Sequence, residues 1–393
     1  MISNDLHPLA DLSICANMGE LAPLWRGYAQ SQPDRDSLPE QTVADLRQLD
    51  VLRIWQTPEV NWPTICEISR LAAQACPSTG WILINGIGHA LIADRFPEAL
   101  AERIFSRSAA PVIATAMAGR DAKITDHADG SLTISGSFVN SSGIDHADWV
   151  LLKLPAGPDG QLHYVPCETS QISIKRSWNA SGLRLSGTHS FTVDLSVSKA
   201  QIAEWEPCLK GRRPTTDAQL NYLRSMPLVA YLGTSLIAPI LGCAEALFRE
   251  HERLIVRRTA EINLSNAPEL TALGESAMEL TTAQLLYREL LNWLHAKGST
   301  TKLIGAQEVK ICRAKAATMV RLCGTAAKRL QENCGMAVLA EDDPAQSYWR
   351  DLQVMSAHSD VRYGISLQDF GKICFDAAKT TITANGSNQH DCA

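Results

Sequence analysis

An arginine–aspartate pair and a histidine near the end of the chain have side chains that can bind phosphate and transfer protons. His358 stands eight residues after Arg350 and seven after Asp351. On one continuous helix this spacing would place Arg350 and His358 on broadly similar faces. A guanidinium can hold phosphate through paired hydrogen bonds, and an imidazole can move protons near neutral pH. A structural ion pair with a structural histidine is the alternative that these residues leave open.

Two other segments are rich in short hydrogen-bonding side chains. Residues 141–149 read SSGIDHADW, and residues 177–190 read SWNASGLRLSGTHS. A flat heteroaromatic ligand needs an aromatic wall and donors around its polar edge. Trp178 would supply the wall, and Gly143 would let the backbone approach closely. A polar hairpin connection and a core tryptophan in a loop are the structural alternatives.

Familiar catalytic motifs are missing from the sequence. It has no GxGxxG, Walker, GxSxG or HExxH pattern, and its 11 cysteines show no CxxC spacing. These absences favour a bound organic cofactor and predict no metal site. The net charge of -6, without a long Lys/Arg run, argues against nucleic acid as a partner.

The spacing of apolar residues, which predicts the secondary structure around these segments, changes along the chain. Helical spacing predominates in residues 1–110, alternation of period two in 111–210, and long helical segments in 211–393. We therefore predict an α+β chain with a helical domain, a central antiparallel β domain and a C-terminal helical bundle. Helices are expected near 227–258, 268–297, 306–334 and 345–377, after a linker at 210–214.

One apolar stretch bears on localisation. Residues 226–244 carry no charge, but they contain prolines and glycines and run into charged residues. We expect a buried core helix rather than a membrane span. The first residues lack a basic stretch followed by an apolar one, so we expect a cytoplasmic protein.

The order and spacing of the three polar segments resemble the acyl-CoA dehydrogenase fold. Within it, they resemble the flavin-dependent monooxygenases of two-component systems over about residues 20–375. The resemblance implies a C-terminal four-helix bundle, a homo-oligomer that is usually a tetramer, and a separate flavin reductase. It also implies reduced flavin (FAD or FMN) and O2 as co-reactants, with a small aromatic or cyclic substrate.

The resemblance also suggests roles for individual residues. Ser141 and Ser142 would lie in the flavin loop, with Ser142 at the reactive centre of the ring. Trp178 would line that ring, Thr188 and Ser190 would lie beside it, and Arg350 would bind flavin phosphates. His358 would act as acid or base in the substrate pocket. The expected flavin, catalytic and pocket residues are Ser141, Ser142, Trp178, Thr188, Ser190, Arg350, His358 and a second pocket histidine, His89.

One departure favours the monooxygenases over the dehydrogenases, and a second departs from the monooxygenase pattern itself. Many acyl-CoA dehydrogenases carry a glutamate base where this chain has Ser359, and Asp360 is turned by about 100° on a helix. Other members of that family place the base on another helix. An acyl-CoA dehydrogenase or oxidase, and a non-catalytic binding protein, are the alternatives. Cys334-Gly335 and residues 343–347 also differ from the phosphate-binding pattern, which leaves FAD and FMN both open.

Overall fold

The computed structural model describes residues 2–31, 35–106, 110–117, 119–156, 160–210, 221–259, 268–300 and 303–387. The first part is helical, and its helices are α1 (Leu12–Gln30), α2 (Glu40–Gln48), α3 (Trp62–Ala75), α4 (Pro77–Ala93) and α5 (Glu98–Phe105). Helix α4 begins with a proline and is buried on almost every side. It packs against α3, against the strand Ile113–Ala116 and against the helix Ile237–Thr259, so its side chains reach both other parts of the chain.

Eight strands form two four-stranded sheets in the central part. They are β1 (Ile113–Ala116), β2 (Gly119–Asp126), β3 (Ser131–Ser141), β4 (Trp149–Ala156), β5 (Gln161–Glu168), β6 (Ile172–Lys175), β7 (His189–Ser198) and β8 (Ala203–Glu204). The sheet orders are β1-β4-β5-β8 and β2-β3-β7-β6. The alternation predicted around 132–138 and 191–197 is confirmed, since those residues pair in β3 and β7.

The prediction of an entirely antiparallel domain needs one correction. Strands β1 and β4 pair in parallel, with Ile113 opposite Trp149. The other five strand pairings in the described residues are antiparallel. A parallel pair needs a long crossover. Here the β2–β3 hairpin of the second sheet supplies it, which strand spacing alone did not reveal.

The remaining helices follow the sheets. They are α6 (Trp205–Lys210), α7 (Leu228–Leu232), α8 (Ile237–Thr259), α9 (Pro268–Ser299), α10 (Ala306–Glu332), α11 (Pro344–Ser356) and α12 (Tyr363–Ser387). Helices α8, α9, α10 and α12 form the C-terminal bundle, and α11 packs on α8. Lys210 ends α6, and the rest of the predicted linker at 210–214 lies outside the described residues.

Two predicted continuous helices are interrupted. A turn separates α7 from α8, and another separates α11 from α12. The second turn contains the 3₁₀ segment Ser359–Val361. It starts where the His358 side chain accepts a hydrogen bond from the Asp360 backbone N–H at 3.3 Å. A side chain that caps the next turn competes with continuation of the helix.

The apolar stretch predicted as a core helix is buried. In the described part of the chain, Leu228–Arg257 is the segment long and apolar enough to cross a bilayer, and its most apolar window has a mean hydropathy of 1.5. However, 89% of its most apolar window is buried inside the protein. The segment therefore packs as a core element of this fold.

Candidate active site

Ser142 lies where strand β3 leaves its sheet. The β3–β7 register shifts between Phe138 and Ser141, and Asn140 has a left-handed φ of 58°. A bulge of this kind bends a strand and re-aims the side chains that follow it. The next residue, Gly143, has a φ of 75°, which favours glycine. Ser142 is therefore left half-buried at the end of the sheet.

Two partners hold the Ser142 hydroxyl. Trp81, on α4, donates its indole N–H to Ser142 Oγ at 3.2 Å. Ser142 Oγ also shares a 2.9 Å hydrogen bond with Thr188 Oγ1, which lies 2.6 Å from Ser186 Oγ. Thr188 is buried, so its hydroxyl serves this network. The structure thus brings together Ser142 and Thr188, which the sequence placed in separate segments.

His89 connects α4 to the first sheet. Its Nδ1 lies 2.8 Å from the Ile113 carbonyl oxygen, which only accepts, so Nδ1 carries the proton. Its Nε2 then accepts from the Thr115 hydroxyl at 3.1 Å. Burial lowers the pKa of His89 to about 4, with the bond to Ile113 opposing the shift. The ring is consequently neutral at pH 7.

Ser141 and Ser190 support the backbone around the site. Ser141 is fully buried and donates its hydroxyl to the Thr115 carbonyl at 2.9 Å, so this hydroxyl faces no ligand space. Ser190 donates its backbone N–H to Ser177 Oγ at 2.9 Å, and the two hydroxyls lie 2.8 Å apart. That pair closes the base of the loop that begins at Trp178.

The Trp178 loop is attached to helix α11 through Leu183. Trp178 Nε1 donates to the Leu183 carbonyl at 2.8 Å, and the Leu183 N–H donates to the Asp351 carboxylate at 2.6 Å. Gly182 lies against the same helix, since a Cβ there would lie 2.2 Å from the Arg350 carbonyl oxygen. These contacts fix the half-buried indole of Trp178 relative to α11.

His358 lies in the turn between α11 and α12, and not on the helix that the sequence pattern predicted. Because α11 ends at Ser356, Arg350 and His358 do not share a helical face. The His358 ring contacts Trp81 edge to face, with centroids 5.6 Å apart. Its Nδ1 accepts from Asp360, so the proton of the neutral ring lies on Nε2. Desolvation by the surrounding protein lowers the pKa of His358, although 41% of its side chain is exposed, and the Asp360 charge opposes that effect.

Arg350 points into a separate cavity. Its guanidinium donates to the Glu341 carbonyl at 3.2 Å. The cavity has a volume of about 540 Å³ and is also lined by Arg26 and Arg184. Although Ser142 and His358 are both described, neither belongs to its wall. The structure therefore does not bring Arg350 together with the Ser142–Trp81–His358 group, and its phosphate role stays a prediction.

The residues of this group fit a flavin. The Trp81 indole provides a flat apolar surface and the Ser142 hydroxyl a polar partner, while a wall formed by Trp178 stays a prediction. Within the described chain, His358 Nε2 has no protein partner and is free to bind a ligand. Aromatic walls with a few placed polar groups are what a flat heteroaromatic ring requires.

Comparisons with known proteins find similar chains over most of the length of this chain. The model of the acyl-CoA dehydrogenase C-terminal domain matches residues 234–363. The oxygenase subunit HsaA of a flavin-dependent monooxygenase from Mycobacterium tuberculosis is 25% identical over 88% of this chain and 91% of its own. The oxygenase component of p-hydroxyphenylacetate 3-hydroxylase from Acinetobacter baumannii is 20% identical over 93% of this chain and 89% of its own.

A solved structure extends the comparison to the fold. XiaF from Streptomyces, in complex with FADH2 and glycerol, superposes with a TM-score of 0.82 at 22% identity. The match covers 93% of this chain and 95% of XiaF. The chain therefore has the acyl-CoA dehydrogenase fold, and its sequence is similar to those of flavin-dependent monooxygenases.

Trp81 was not among the site residues that the sequence predicted. This residue contacts both Ser142 and His358, yet it reads as one apolar residue among many in α4. One signal was present: Trp81 stands eight residues before His89 on the same helix. The Leu183–Asp351 contact offered no local signal, because its partners are 168 residues apart.

Proposed function

We propose that this chain is the oxygenase component of a two-component flavin-dependent monooxygenase. It receives reduced FAD or FMN from a separate reductase. With O2, it inserts one oxygen atom into a small aromatic or cyclic molecule. The structural observation that carries the proposal is the convergence of Ser142, Trp81 and His358, since it places a polar hydroxyl, an aromatic surface and a proton-carrying imidazole side by side. The aromatic hydroxylases among the relatives support the substrate class.

Each residue has a distinct part in the proposed reaction. When bound, reduced flavin supplies the two electrons that activate O2. Trp81 orients the Ser142 hydroxyl, and the apolar surroundings of α4 exclude water from it. His358 offers its Nε2–H to substrate and moves a proton at that atom. His89, neutral and engaged at both nitrogens, orients the pocket through Thr115 rather than donating a proton.

An acyl-CoA dehydrogenase is the second candidate, and it lacks a placed base. Ser359 stands where the base is expected, and the Asp360 carboxylate lies beside Arg313 at 4.0 Å. The buried glutamate in the described part of α8, Glu245, does not supply the missing base. Glu245 is fully buried and pairs with Arg70 at 2.8 Å. A carboxylate held in such an ion pair is poorly suited to remove a substrate proton.

The oligomeric state and the cytoplasmic location are further parts of the proposal. Large apolar side chains are exposed on α9 and α12 of the single chain, among them Met278, Leu285, Phe375 and Ile382. Burying them between copies would remove apolar surface from water. This supports a homo-oligomer, for which we propose a tetramer. The ten cysteines in the described residues are all free thiols, as in a reducing compartment.

The test uses purified chain, chemically reduced flavin and ¹⁸O2 with a panel of phenols and indoles. We expect one ¹⁸O atom in the product, detected by mass spectrometry, and tight anaerobic binding of reduced flavin. Bleaching of bound oxidised FAD by an acyl-CoA, without ¹⁸O incorporation, would instead establish the dehydrogenase. A protein that retains no flavin and gives neither reaction would be a binding module.

A further inference from the structure

His189 is a fully buried imidazole to which the proposed mechanism gives no role. It begins β7 and lies opposite Ser141 in the β3–β7 register. Its side chain is 0% exposed. A buried imidazole must have its two nitrogens satisfied, so its partners show what it connects.

Both nitrogens of His189 contact backbone or side chains of the site loops. Nδ1 accepts from the backbone N–H groups of Ser177 and Trp178, at 3.1 and 3.2 Å. Nε2 lies 3.0 Å from Asp145 Oδ2. Because Nδ1 faces two donors, the proton of the neutral ring lies on Nε2 and is donated to Asp145. One ring therefore joins the start of the Trp178 loop to the loop that follows Ser142.

A charged pair holds Asp145 from the other side. The Arg176 guanidinium lies 3.4 Å from Asp145 Oδ2, and its Nε donates to Asp36 Oδ2 at 3.0 Å. The backbone N–H of Gly187 donates to the Asp36 carbonyl at 3.0 Å. Arg176 thus contacts both carboxylates beside His189 and offsets one of their two negative charges, and the imidazole is the buried centre of the cluster.

We propose that His189 is a positioning residue that sets the separation between Trp178 and the Ser142 loop, which comprises residues 142–146 after strand β3. The inference rests on the proposed flavin site, because these two loops carry its aromatic wall and its hydroxyl. Removing either half of the connection leaves a loop free to move, while the sheets keep their pairing. Flavin binding then weakens because the wall and the hydroxyl are no longer held at matching positions.

Two substitutions of His189 each remove the hydrogen bonds of one of its ring nitrogens. In His189→Asn, the amide oxygen can replace Nδ1 as acceptor but cannot reach Asp145. In His189→Gln, the amide nitrogen can replace Nε2 as donor but leaves the two backbone N–H groups without an acceptor. His127→Gln is the matched control, because His127 is exposed in the β2–β3 turn and bonds only to its own hairpin through Thr133.

The first measurement is hydrogen–deuterium exchange on flavin-free protein. We expect at least tenfold faster exchange at Ser177 and Trp178 in His189→Gln, near wild-type exchange there in His189→Asn, and faster exchange around 142–146 in His189→Asn alone. The second measurement is the anaerobic Kd of reduced flavin. It should rise about tenfold in both variants and stay unchanged in the control.

Unchanged loop exchange, or a flavin Kd within twofold of wild type in both folded variants, would overturn the proposal. If the His189 variants fail to fold, Asp145→Asn and Asp145→Ala decide, since only the first keeps an acceptor for Nε2. Asp145→Asn should keep the wild-type Kd for reduced flavin, and Asp145→Ala should raise it. Equal Kd values for the two variants would contradict the proposal. Should wild type bind no flavin, the proposed function fails, while loop exchange still reports on the connection.

Discussion

Trp81 donates its indole N–H to the hydroxyl oxygen of Ser142 across 3.2 Å. The same indole meets the His358 ring edge to face. One side chain of a buried helix therefore contacts both the end of a β-strand and the turn between two helices of the bundle. This arrangement makes α4 a wall of the proposed active site, and it separates two roles of Trp81 that mutation can test.

Trp81→Phe removes the N–H donor and keeps an aromatic ring beside His358. We expect the ratio of oxygenated product to hydrogen peroxide to fall about tenfold, as for the loss of roughly 1.4 kcal/mol from one hydrogen bond. Flavin affinity should change little. Trp293→Phe, on α9, is the control. A variant with the wild-type product ratio would show that the Ser142 contact is dispensable.

His358→Gln should impair oxygenation more than flavin binding. General acid–base groups contribute about 10²–10⁴-fold to rate, so a loss of at least 100-fold in product formation is expected with a Kd for flavin within twofold. His163→Gln, on β5, tests for unspecific effects of losing a histidine. Equal losses in rate and flavin affinity would assign His358 a structural role instead.

The pH profile gives a second test of His358. Burial holds its pKa below the usual 6.5, so the neutral ring with its proton on Nε2 persists into mildly acidic solution. Product formation should therefore fall only below pH 6.5, because a protonated Nδ1 can no longer accept from the Asp360 backbone N–H that holds the ring in place. This acid limb should be absent from the residual activity of His358→Gln. An unchanged acid limb in that variant would exclude His358 as its source.

Asp351→Asn should raise the Tm by a few degrees at pH 8 and less at pH 5. Burial raises the pKa of Asp351 to about 7, although the Leu183 N–H and Arg350 favour its charged form. The folded chain then binds a proton that the unfolded chain has released above about pH 4, so this carboxyl costs stability as the pH rises toward 7. The amide oxygen still accepts from Leu183. Scanning calorimetry at both pH values checks this, and an equal shift at each would contradict it.

Gly182→Ala should destabilise the Trp178 loop. The added Cβ would lie 2.2 Å from the Arg350 carbonyl oxygen, so the loop must shift away from α11. We expect a loss of about 1–3 kcal/mol in unfolding free energy and weaker flavin binding. Gly19→Ala on α1 is the matched control, because a Cβ there meets no atom within 4 Å. Similar denaturation midpoints for the two variants would argue against close packing at Gly182.

Much of the fold follows from local sequence patterns. Alternation in β3 and β7 and the helical spacing on either side predicted the order of helices, strands and helices, because these periods reflect which side chains face the core. Composition likewise identified the segments around Ser142 and Trp178. Local sequence patterns predicted the ends of helices least well. They predicted one helix over the residues of α11 and α12, because the periodicity does not reveal that His358 caps a new turn.

Local sequence predicts which segments could hold a flat polar ligand, whereas the packing of helices and strands fixes which side chains meet. Trp81 and Ser142 are 61 residues apart, and Leu183 and Asp351 are 168 apart. Contacts over such separations depend on how α4, the strand β3 and α11 pack together. The parallel pairing of β1 with β4 and the position of Arg350 in a separate cavity also depend on such long-range contacts. Their positions depend on the sum of many long-range contacts, to which no single stretch of sequence corresponds.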